Sequence, residues 1–185
     1  MTLPTTPEAE CTVCKTAFLR MNTMQQVCSV KCAIRIPVVS RRAKLAAEKE
    51  QRRKDRAARE RLKSRREWLS EAQTAFNAYI RERDAKLPCI SCGRMHTGQW
   101  HAGHYLSTGA RPELRFDEDN CHKQCQPCNT HLHGNLVLYR AELIRRIGQE
   151  AVNRLEGPHT PAKWTSDDLR EIRDRYRAKA RSLKE

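Results

Sequence analysis

The stretch that decides the fold runs from Cys89 to Asn135 and reads CISCGRMHTGQWHAGHYLSTGARPELRFDEDNCHKQCQPCNTHLHGN. Two C-x-x-C pairs, Cys89/Cys92 and Cys125/Cys128, flank a histidine-rich segment. Four thiolates from two such pairs form a closed tetrahedral Zn²⁺ site, the usual structural arrangement. The sequence therefore predicts a zinc ion that folds this segment.

Histidine and asparagine side chains lie between and just after these cysteines. Their imidazoles and amides can bind a catalytic metal ion, and an imidazole can also accept a proton from water during hydrolysis. The residues are His101, His104, Asn120, Asn129 and His133. We interpret the segment as one zinc that folds the module and one catalytic ion that cuts a phosphodiester.

Four more cysteines stand near the N-terminus, as Cys11/Cys14 and Cys28/Cys32. The first residues do not resemble a signal peptide, so we expect metal ligands rather than disulfides. A segment this short cannot bury a core, and zinc binding would supply most of its folding energy. The sequence thus predicts a second Cys₄ zinc site and leaves Cys121, the ninth cysteine, without a pair.

Composition limits both the core and the partners. Hydrophobic residues make up 38% of the 185 residues and aromatic residues 5%, so no large core is expected. The formal net charge of +14 favours a polyanionic partner, nucleic acid first, with an RNA-binding assembly protein as the alternative. No apolar run is long enough for a transmembrane helix, and no membrane association is expected.

One long basic helix is predicted over residues 38–86, because residues 40–86 contain neither proline nor glycine. Residues 41–66 hold thirteen Lys/Arg against four Asp/Glu, and this excess of one sign favours DNA contact over a merely solvated face. Apolar residues recur at helical spacing from Trp68 to Ile80, so that half should pack on the metal module. The candidate DNA contacts are Arg41, Arg42, Arg52, Arg53, Lys54, Arg56, Arg59, Lys63, Arg65 and Arg66.

The remaining secondary structure and the division into segments are predicted less precisely. Strands are predicted at 99–106 and 114–116, and a helix from Asn129 onward would put Asn129 and His133 on one face. Residues 1–10 are expected to be a disordered tail. The fold class is small, zinc-stabilised α+β. Its four segments are an N-terminal Cys₄ knuckle at 1–37, the basic helix at 38–86, a zinc-bound module at 87–140 and a C-terminal helical segment at 141–185.

The motifs AGHYLSTGA, LRFDEDNCHKQCQPCN and HGNLVLY carry a resemblance to the NinG (Rap) recombination proteins of lambdoid phages. The resemblance extends over essentially the whole chain, including the basic helix and the N-terminal knuckle. The core also resembles the HNH (ββα-metal) nucleases, among them phage endonuclease VII with its similar four-cysteine zinc. The resemblance therefore implies an HNH ββα-metal core in residues 87–140.

The HNH roles implied by this resemblance fall on particular residues. His104 matches the first histidine, Asn120 the central asparagine that shapes the loop between two strands, and Asn129 and His133 the ligand positions on the helix. Many HNH enzymes have Asp or His just before the first histidine, whereas this chain has Gly103. We favour His104 as the general base and keep His101 as a weaker candidate for either role. A surface histidine remains the alternative for His101, His122 and His131.

The implied function is structure-specific cleavage of branched recombination intermediates, Holliday junctions and D-loops, by a phage-encoded protein in the bacterial cytoplasm. The expected cofactors are two structural Zn²⁺ ions and a catalytic Mg²⁺ or Mn²⁺. The expected partners are branched DNA, a second copy in a homodimer, and phage or host recombination proteins. Two alternatives stay open: a non-catalytic zinc-dependent DNA-binding accessory protein, and an HNH nuclease acting on unbranched DNA.

Overall fold

A computed structural model describes residues 8–184, without the side chains at positions 37 and 39. The chain divides into two compact units, Met1–Leu62 and Lys63–Glu185, each of which is described by itself. The fold class is small α+β with two cysteine tetrads, as predicted. The partition into four segments stays a prediction. None of the described helices is both long enough and apolar enough to span a bilayer.

The first unit consists of one small hairpin and one long helix. Strands β1 (Glu8–Glu10) and β2 (Ala17–Leu19) pair antiparallel, with Ala9 opposite Phe18. The expected tail at 1–10 is therefore wrong for residues 8–10, and residues 1–7 lie outside the described part of the chain. Helix α1 spans Val30–Leu62 and begins eight residues before the predicted start at 38, so that Cys32 lies in its first turn.

The predicted single helix to residue 86 is wrong, because the chain makes two helices here. Helix α2 spans Arg65–Arg83, and Ser64 is its N-cap with an extended backbone. The Ser64 Oγ accepts a hydrogen bond from the Glu67 N–H, and the Glu67 carboxylate accepts one from the Ser64 N–H at 2.8 Å. This capping box satisfies two backbone N–H groups at the start of α2, which in a continuous helix would donate to carbonyls of the preceding turn.

The core of the second unit is built on α2 and on α5 (Ser166–Ser182). The predicted packing stripe of α2 is confirmed: Trp68, Ala72, Ala75, Phe76, Tyr79 and Ile80 are all buried. Phe76 packs edge-to-face against Tyr176 of α5, with 4.9 Å between ring centroids. A capping box formed by Thr165 and Asp168 begins α5.

A two-stranded antiparallel hairpin lies against this core. It joins β3 (Trp100–His104) to β4 (Cys121–Cys125), with His104 opposite Cys121 and Trp100 opposite Cys125. The prediction of β3 is confirmed, but the second strand predicted at 114–116 is wrong. Pro112–Leu114 is instead one turn of 3₁₀ helix, where proline occupies the first position and its missing N–H costs nothing.

A second apolar cluster covers the other side of the hairpin. It includes Tyr139 and Leu143 from α3 (Leu136–Ile147), with Val152 and Leu155 from α4 (Gln149–Glu156). Gly148 separates the two helices at φ +86°, a backbone region that glycine adopts readily.

A buried ionic network fastens the end of α2 to β4. Arg83 forms two hydrogen bonds with the Asp84 carboxylate, at 2.8 and 3.0 Å, and donates to the Cys121 carbonyl at 2.8 Å. The Lys123 N–H donates to Asp84 Oδ2 at 2.9 Å. His122 belongs to the same network and is 5% exposed, so the surface alternative is wrong for this histidine.

Candidate metal centres and catalytic groove

The second unit holds one cysteine cluster, and a tight turn positions its first pair. The Gly93 N–H donates to the Cys89 carbonyl at 2.9 Å, with Gly93 at φ +67°. Cys125 ends β4, and Cys128 lies in the helical turn that follows it. The four Sγ atoms lie within 4.8 Å of one another, with Cys92 and Cys125 3.9 Å apart. Tetrahedral Zn–S bonds of about 2.3 Å place sulfurs about 3.8 Å apart, so this cluster can hold zinc.

The first unit holds a cluster of the same kind, formed by Cys11, Cys14, Cys28 and Cys32. Its Sγ atoms also lie within 4.8 Å of one another, with 3.5 Å between Cys14 and Cys28 and 3.7 Å between Cys28 and Cys32. The Lys15 N–H donates to the Cys11 carbonyl at 2.9 Å. These spacings fit tetrahedral zinc equally well, so both predicted tetrads form clusters that can hold zinc.

His104 ends β3, and its ring is fixed on both sides. Nε2 lies 3.0 Å from the Arg115 carbonyl oxygen, which can only accept, so Nε2 carries the proton and Nδ1 the lone pair. Nδ1 lies 3.7 Å from the Sγ of Cys121. Burial lowers the pKa of His104 below its usual value and outweighs the opposing effect of the hydrogen bond to Arg115. The imidazole is therefore neutral near pH 7.

Asn120 is completely buried and holds the loop between β3 and β4. Its Oδ1 accepts from the Leu106 N–H at 2.9 Å. Its Nδ2 donates to the carbonyls of Leu106 and Leu114, at 3.0 and 3.2 Å. All three bonds are internal to the loop, so this side chain shapes the loop and does not face the groove.

Asn129 and His133 do not share a helix, so the predicted helical face is wrong. A single π-helical turn spans Pro127–His131, and His133 lies beyond it at φ +49° with an exposed side chain. The turn cannot continue, because left-handed backbone at 133 to 135 separates it from α3. Asn129 instead contacts His101, with its Nδ2 2.8 Å from the ring Nδ1.

The glycine at position 103 has a packing reason. A Cβ there would overlap the Oε1 of Gln124, which is fully buried on the paired strand. The Nε2 of Gln124 donates to the Ser91 hydroxyl at 2.7 Å and to the Gly134 carbonyl at 2.6 Å. Its Oε1 is buried and has no hydrogen-bond partner among the described residues. The buried amide thus fills the space that a side chain at position 103 would need.

Two adjoining cavities, which share Ala102 of β3 and Asn129, form what we call the groove. One cavity, of about 520 Å³, is lined by His104, Asn129 and His133. The other, of about 490 Å³, is lined by His101, Asn129 and Arg81 among others. The structure therefore brings four of the five predicted residues to one groove and leaves Asn120 behind it.

Three residues beside the groove were not predicted from the sequence. Cys121 is fully buried against His104, and burial raises the pKa of its thiol, so it remains protonated. Arg115 contributes the carbonyl that orients His104. Arg81 lies four residues after Asn77 on α2, a helical spacing that could have drawn attention to both.

Known proteins resemble this chain over most of its length. The family model described as "Bacteriophage Lambda NinG protein" matches residues 4–185. Protein ninG of Escherichia phage 933W is 55% identical over 123 residues, which cover 66% of this chain and 61% of that protein. Protein ninG of Escherichia phage lambda is 54% identical over 123 residues, which cover 66% of this chain and 60% of that protein. Protein ninG of Salmonella phage P22 is 52% identical over 124 residues, which cover 67% of this chain and 61% of that protein.

The chain spans about 61% of the length of the relatives from phages 933W and P22. No solved structure matches it. The family model extends over both cysteine clusters, the basic helix and the groove. The chain therefore belongs to the NinG family of bacteriophage proteins.

Proposed function

We propose that this chain is a metal-dependent endonuclease of the HNH (ββα-metal) type that cuts branched DNA. The observation that carries the proposal is the grouping of His104, Asn129 and His133 around one cavity. The hairpin β3–β4 and the helical turn after it also follow the strand, strand, helix order of that class. Fold order alone is an analogy, and the placement of the side chains is the stronger support.

His104 is the proposed general base. The carbonyl of Arg115 holds Nε2–H, so the unprotonated Nδ1 is available to take a proton from water. The thiol of Cys121 is a weak hydrogen-bond donor, so a water molecule competes well for Nδ1. The lowered pKa of His104 keeps the base unprotonated to below pH 6.5. The acid limb of the kcat/KM profile should accordingly lie below that pH.

A catalytic divalent ion has fewer protein ligands here than zinc has. Among residues 8–184, the cysteine tetrads are the only places where three or more His, Cys, Asp or Glu groups gather closely enough to share an ion. Asn129 donates its amide N–H to His101, which leaves its Oδ1 free as a ligand, with His133 at the rim. Mg²⁺ usually keeps several waters and binds substrate phosphates together with one or two carboxylates; here the Oδ1 of Asn129 and the imidazole of His133 would take the place of the carboxylates. When bound, Mg²⁺ or Mn²⁺ stabilises charge on the leaving oxygen.

Branched DNA is the proposed substrate, and the excess positive charge supports it. Counterion release by Lys and Arg gives affinity for phosphates without reading base sequence, which suits an enzyme that selects DNA shape. Resolving a four-way junction requires two symmetric cuts, so we propose a homodimer on the substrate. Phage or host recombination proteins are proposed as further partners.

Cleavage of a labelled four-way junction, with and without Mg²⁺ or Mn²⁺, tests the proposal. His104→Ala should reduce the rate by about 10²–10⁴, because it removes the proton acceptor and leaves the zinc ligands in place. His159→Ala removes a half-buried imidazole that lines neither cavity of the groove, and it serves as the matched control. Wild-type cleavage by His104→Ala would show that the assigned base is wrong.

A non-catalytic DNA-binding accessory role is the second candidate, favoured by the absence of a third ligand cluster among the described residues. Junction binding without any metal-dependent cleavage would establish it. An HNH nuclease acting on unbranched DNA would instead cut a linear duplex as fast as the junction.

A further inference from the structure

Helix α2 carries a polar stripe beside its apolar one. Gln73, Asn77 and Arg81 follow one another at intervals of four residues and are all half-buried. The Nε2 of Gln73 donates to the Oδ1 of Asn77 at 2.8 Å. Eight residues of helix extend about 12 Å, so the stripe is as long as about three base steps of one DNA strand. Half-buried polar side chains that do not join the core are free to bind a ligand.

Part of the stripe lines the groove. Asn77 and Arg81 line the same cavity as His101 and Asn129. At the other end of the stripe, Arg115 donates from Nη1 to the Oε1 of Gln73 at 3.1 Å. Residues of β3 and the polar side chains of Asn77 and Arg81 thus line the same cavity, and Arg115 lies at the end of the stripe.

The charges along this boundary are unbalanced. Elsewhere in the unit, arginines pair with carboxylates, such as Arg140 with Glu156 at 2.7 Å and Arg154 with Asp117 at 2.8 Å. Within the described part of the chain, neither Arg81, which lines the groove, nor Arg115, at the end of the stripe, forms an ion pair with a carboxylate. Guanidinium groups without acidic partners are suited to bind phosphate oxygens.

We propose that one DNA strand runs through this groove, with its phosphates bound by Arg81 and Arg115 and by the amide of Asn77. This inference rests on the proposed function and adds the path of the strand being cut. It places the scissile phosphate between Arg81 and His104, beside Asn129. Contacts of this kind orient the backbone and read no base sequence. The proposed contacts lie on α2 and the loop at Arg115, so all of them belong to the second unit.

Binding of a labelled four-way DNA junction tests the path directly. Affinity is measured against salt concentration, without added Mg²⁺ or Mn²⁺, for Arg81→Gln and for Arg181→Gln. Both remove one positive charge, but Arg181 is exposed on α5 and has no part in the groove. Arg81→Gln should flatten the log–log slope by about 0.9, as expected when one phosphate is no longer neutralised, and Arg181→Gln should not. Unchanged far-UV circular dichroism and an unchanged denaturant-unfolding midpoint verify that both variants are folded.

A second variant tests the middle of the groove. Asn77→Asp keeps the shape of the side chain and adds a negative charge, which should weaken junction binding about tenfold or more. Slopes and affinities equal to those of Arg181→Gln would overturn the proposed path, whether or not the wild type cleaves. A flattened slope for Arg81→Gln in a protein that never cleaves would support the path and contradict the nuclease function.

Discussion

The two cysteine clusters begin with the same turn and lie in very different surroundings. In each, the residue after the second cysteine donates its N–H to the first cysteine's carbonyl at 2.9 Å, with φ +64° at Lys15 and +67° at Gly93. Among the described side chains of the first unit, only Cys11 and Cys32 are buried. The second unit has two apolar clusters besides its cysteines. Zinc would therefore replace a hydrophobic core in one unit and order the border of a groove in the other.

Removing one cysteine ligand from each cluster should give the largest difference in the extent of unfolding between the two units. Cys14→Ala should unfold the hairpin of the first unit, since zinc supplies on the order of 10 kcal/mol or more to such small domains. Cys92→Ala should also lose one zinc but keep α2 and α5 packed, because Phe76 and Tyr176 do not depend on the cluster. Elemental analysis counts the zinc, and amide hydrogen exchange locates the unfolding.

The matched variant is Cys121→Ala, which removes a thiol that belongs to neither cluster. It should leave about two zinc ions per chain. Equal protection of residues 8–32 in Cys14→Ala and in the wild type would contradict the view that metal replaces the core there.

Breaking the buried Arg83–Asp84 network of the second unit should have an intermediate effect on the free energy of unfolding. Asp84→Asn leaves the Arg83 guanidinium without its carboxylate and should cost about 3 kcal/mol in the free energy of unfolding. Asp174→Asn removes a carboxylate from another adjacent Arg–Asp pair, but Asp174 is 57% exposed and its loss should cost at most about 1 kcal/mol. Denaturant unfolding of the two variants measures the difference.

The same network makes the second unit sensitive to acid. Burial opposes the charged form of Asp84, but hydrogen bonds from His122, Arg83 and the Lys123 N–H outweigh it and hold the pKa of this carboxyl well below its usual range. A lowered folded-state pKa stabilises the protein fully above the unfolded-state value of about 3.9 and loses that effect as pH falls below it. The gap between wild type and Asp84→Asn should therefore shrink below about pH 4. A gap that stays constant down to about pH 2.5 would refute this assignment.

The basic helix should show the smallest effect on stability. Leu45 and Leu62 of α1 are 55% and 85% exposed, so this helix has almost no packed face to lose. Neutralising Arg52, Arg53 and Lys54 should change the free energy of unfolding by no more than about 0.5 kcal/mol. Junction binding should weaken, with the salt slope reduced by about 0.9 for each phosphate that these side chains neutralise in the wild type. An unchanged slope would mean that this run is only a solvated face.

Cysteine spacing and helical periodicity predict both clusters and the core face of α2, because each signal lies in a few residues of fixed spacing. The break between α1 and α2 does not emerge from helix propensity, although the capping box at Ser64 and Glu67 is readable in the sequence. Strong helix formers on both sides of Ser64 make the segment look like one continuous helix. Helix propensity alone therefore does not show where the first unit ends.

Strand β4 could not be predicted from periodicity. Its residues, CHKQC, are mostly polar, yet all five are buried. The cysteine cluster, the Asp84 network and the hydrogen bonds donated by the Nε2 of Gln124 satisfy most of their polar groups. The alternating segment Leu114-Arg115-Phe116 is the more obvious strand, but Pro112 starts a tight turn there. Residues distant in sequence from β4 therefore determine that this polar segment forms a buried strand.

The overlap between position 103 and Gln124 couples these two positions energetically. A Cβ at 103 would meet the buried amide oxygen of Gln124, so any side chain there requires Gln124 to shift. That shift would disturb the hydrogen bonds that the Nε2 of Gln124 donates to the Ser91 hydroxyl and the Gly134 carbonyl. The free-energy cost of a side chain at 103 should therefore depend on the residue at 124, and a double-mutant cycle measures this dependence as non-additivity.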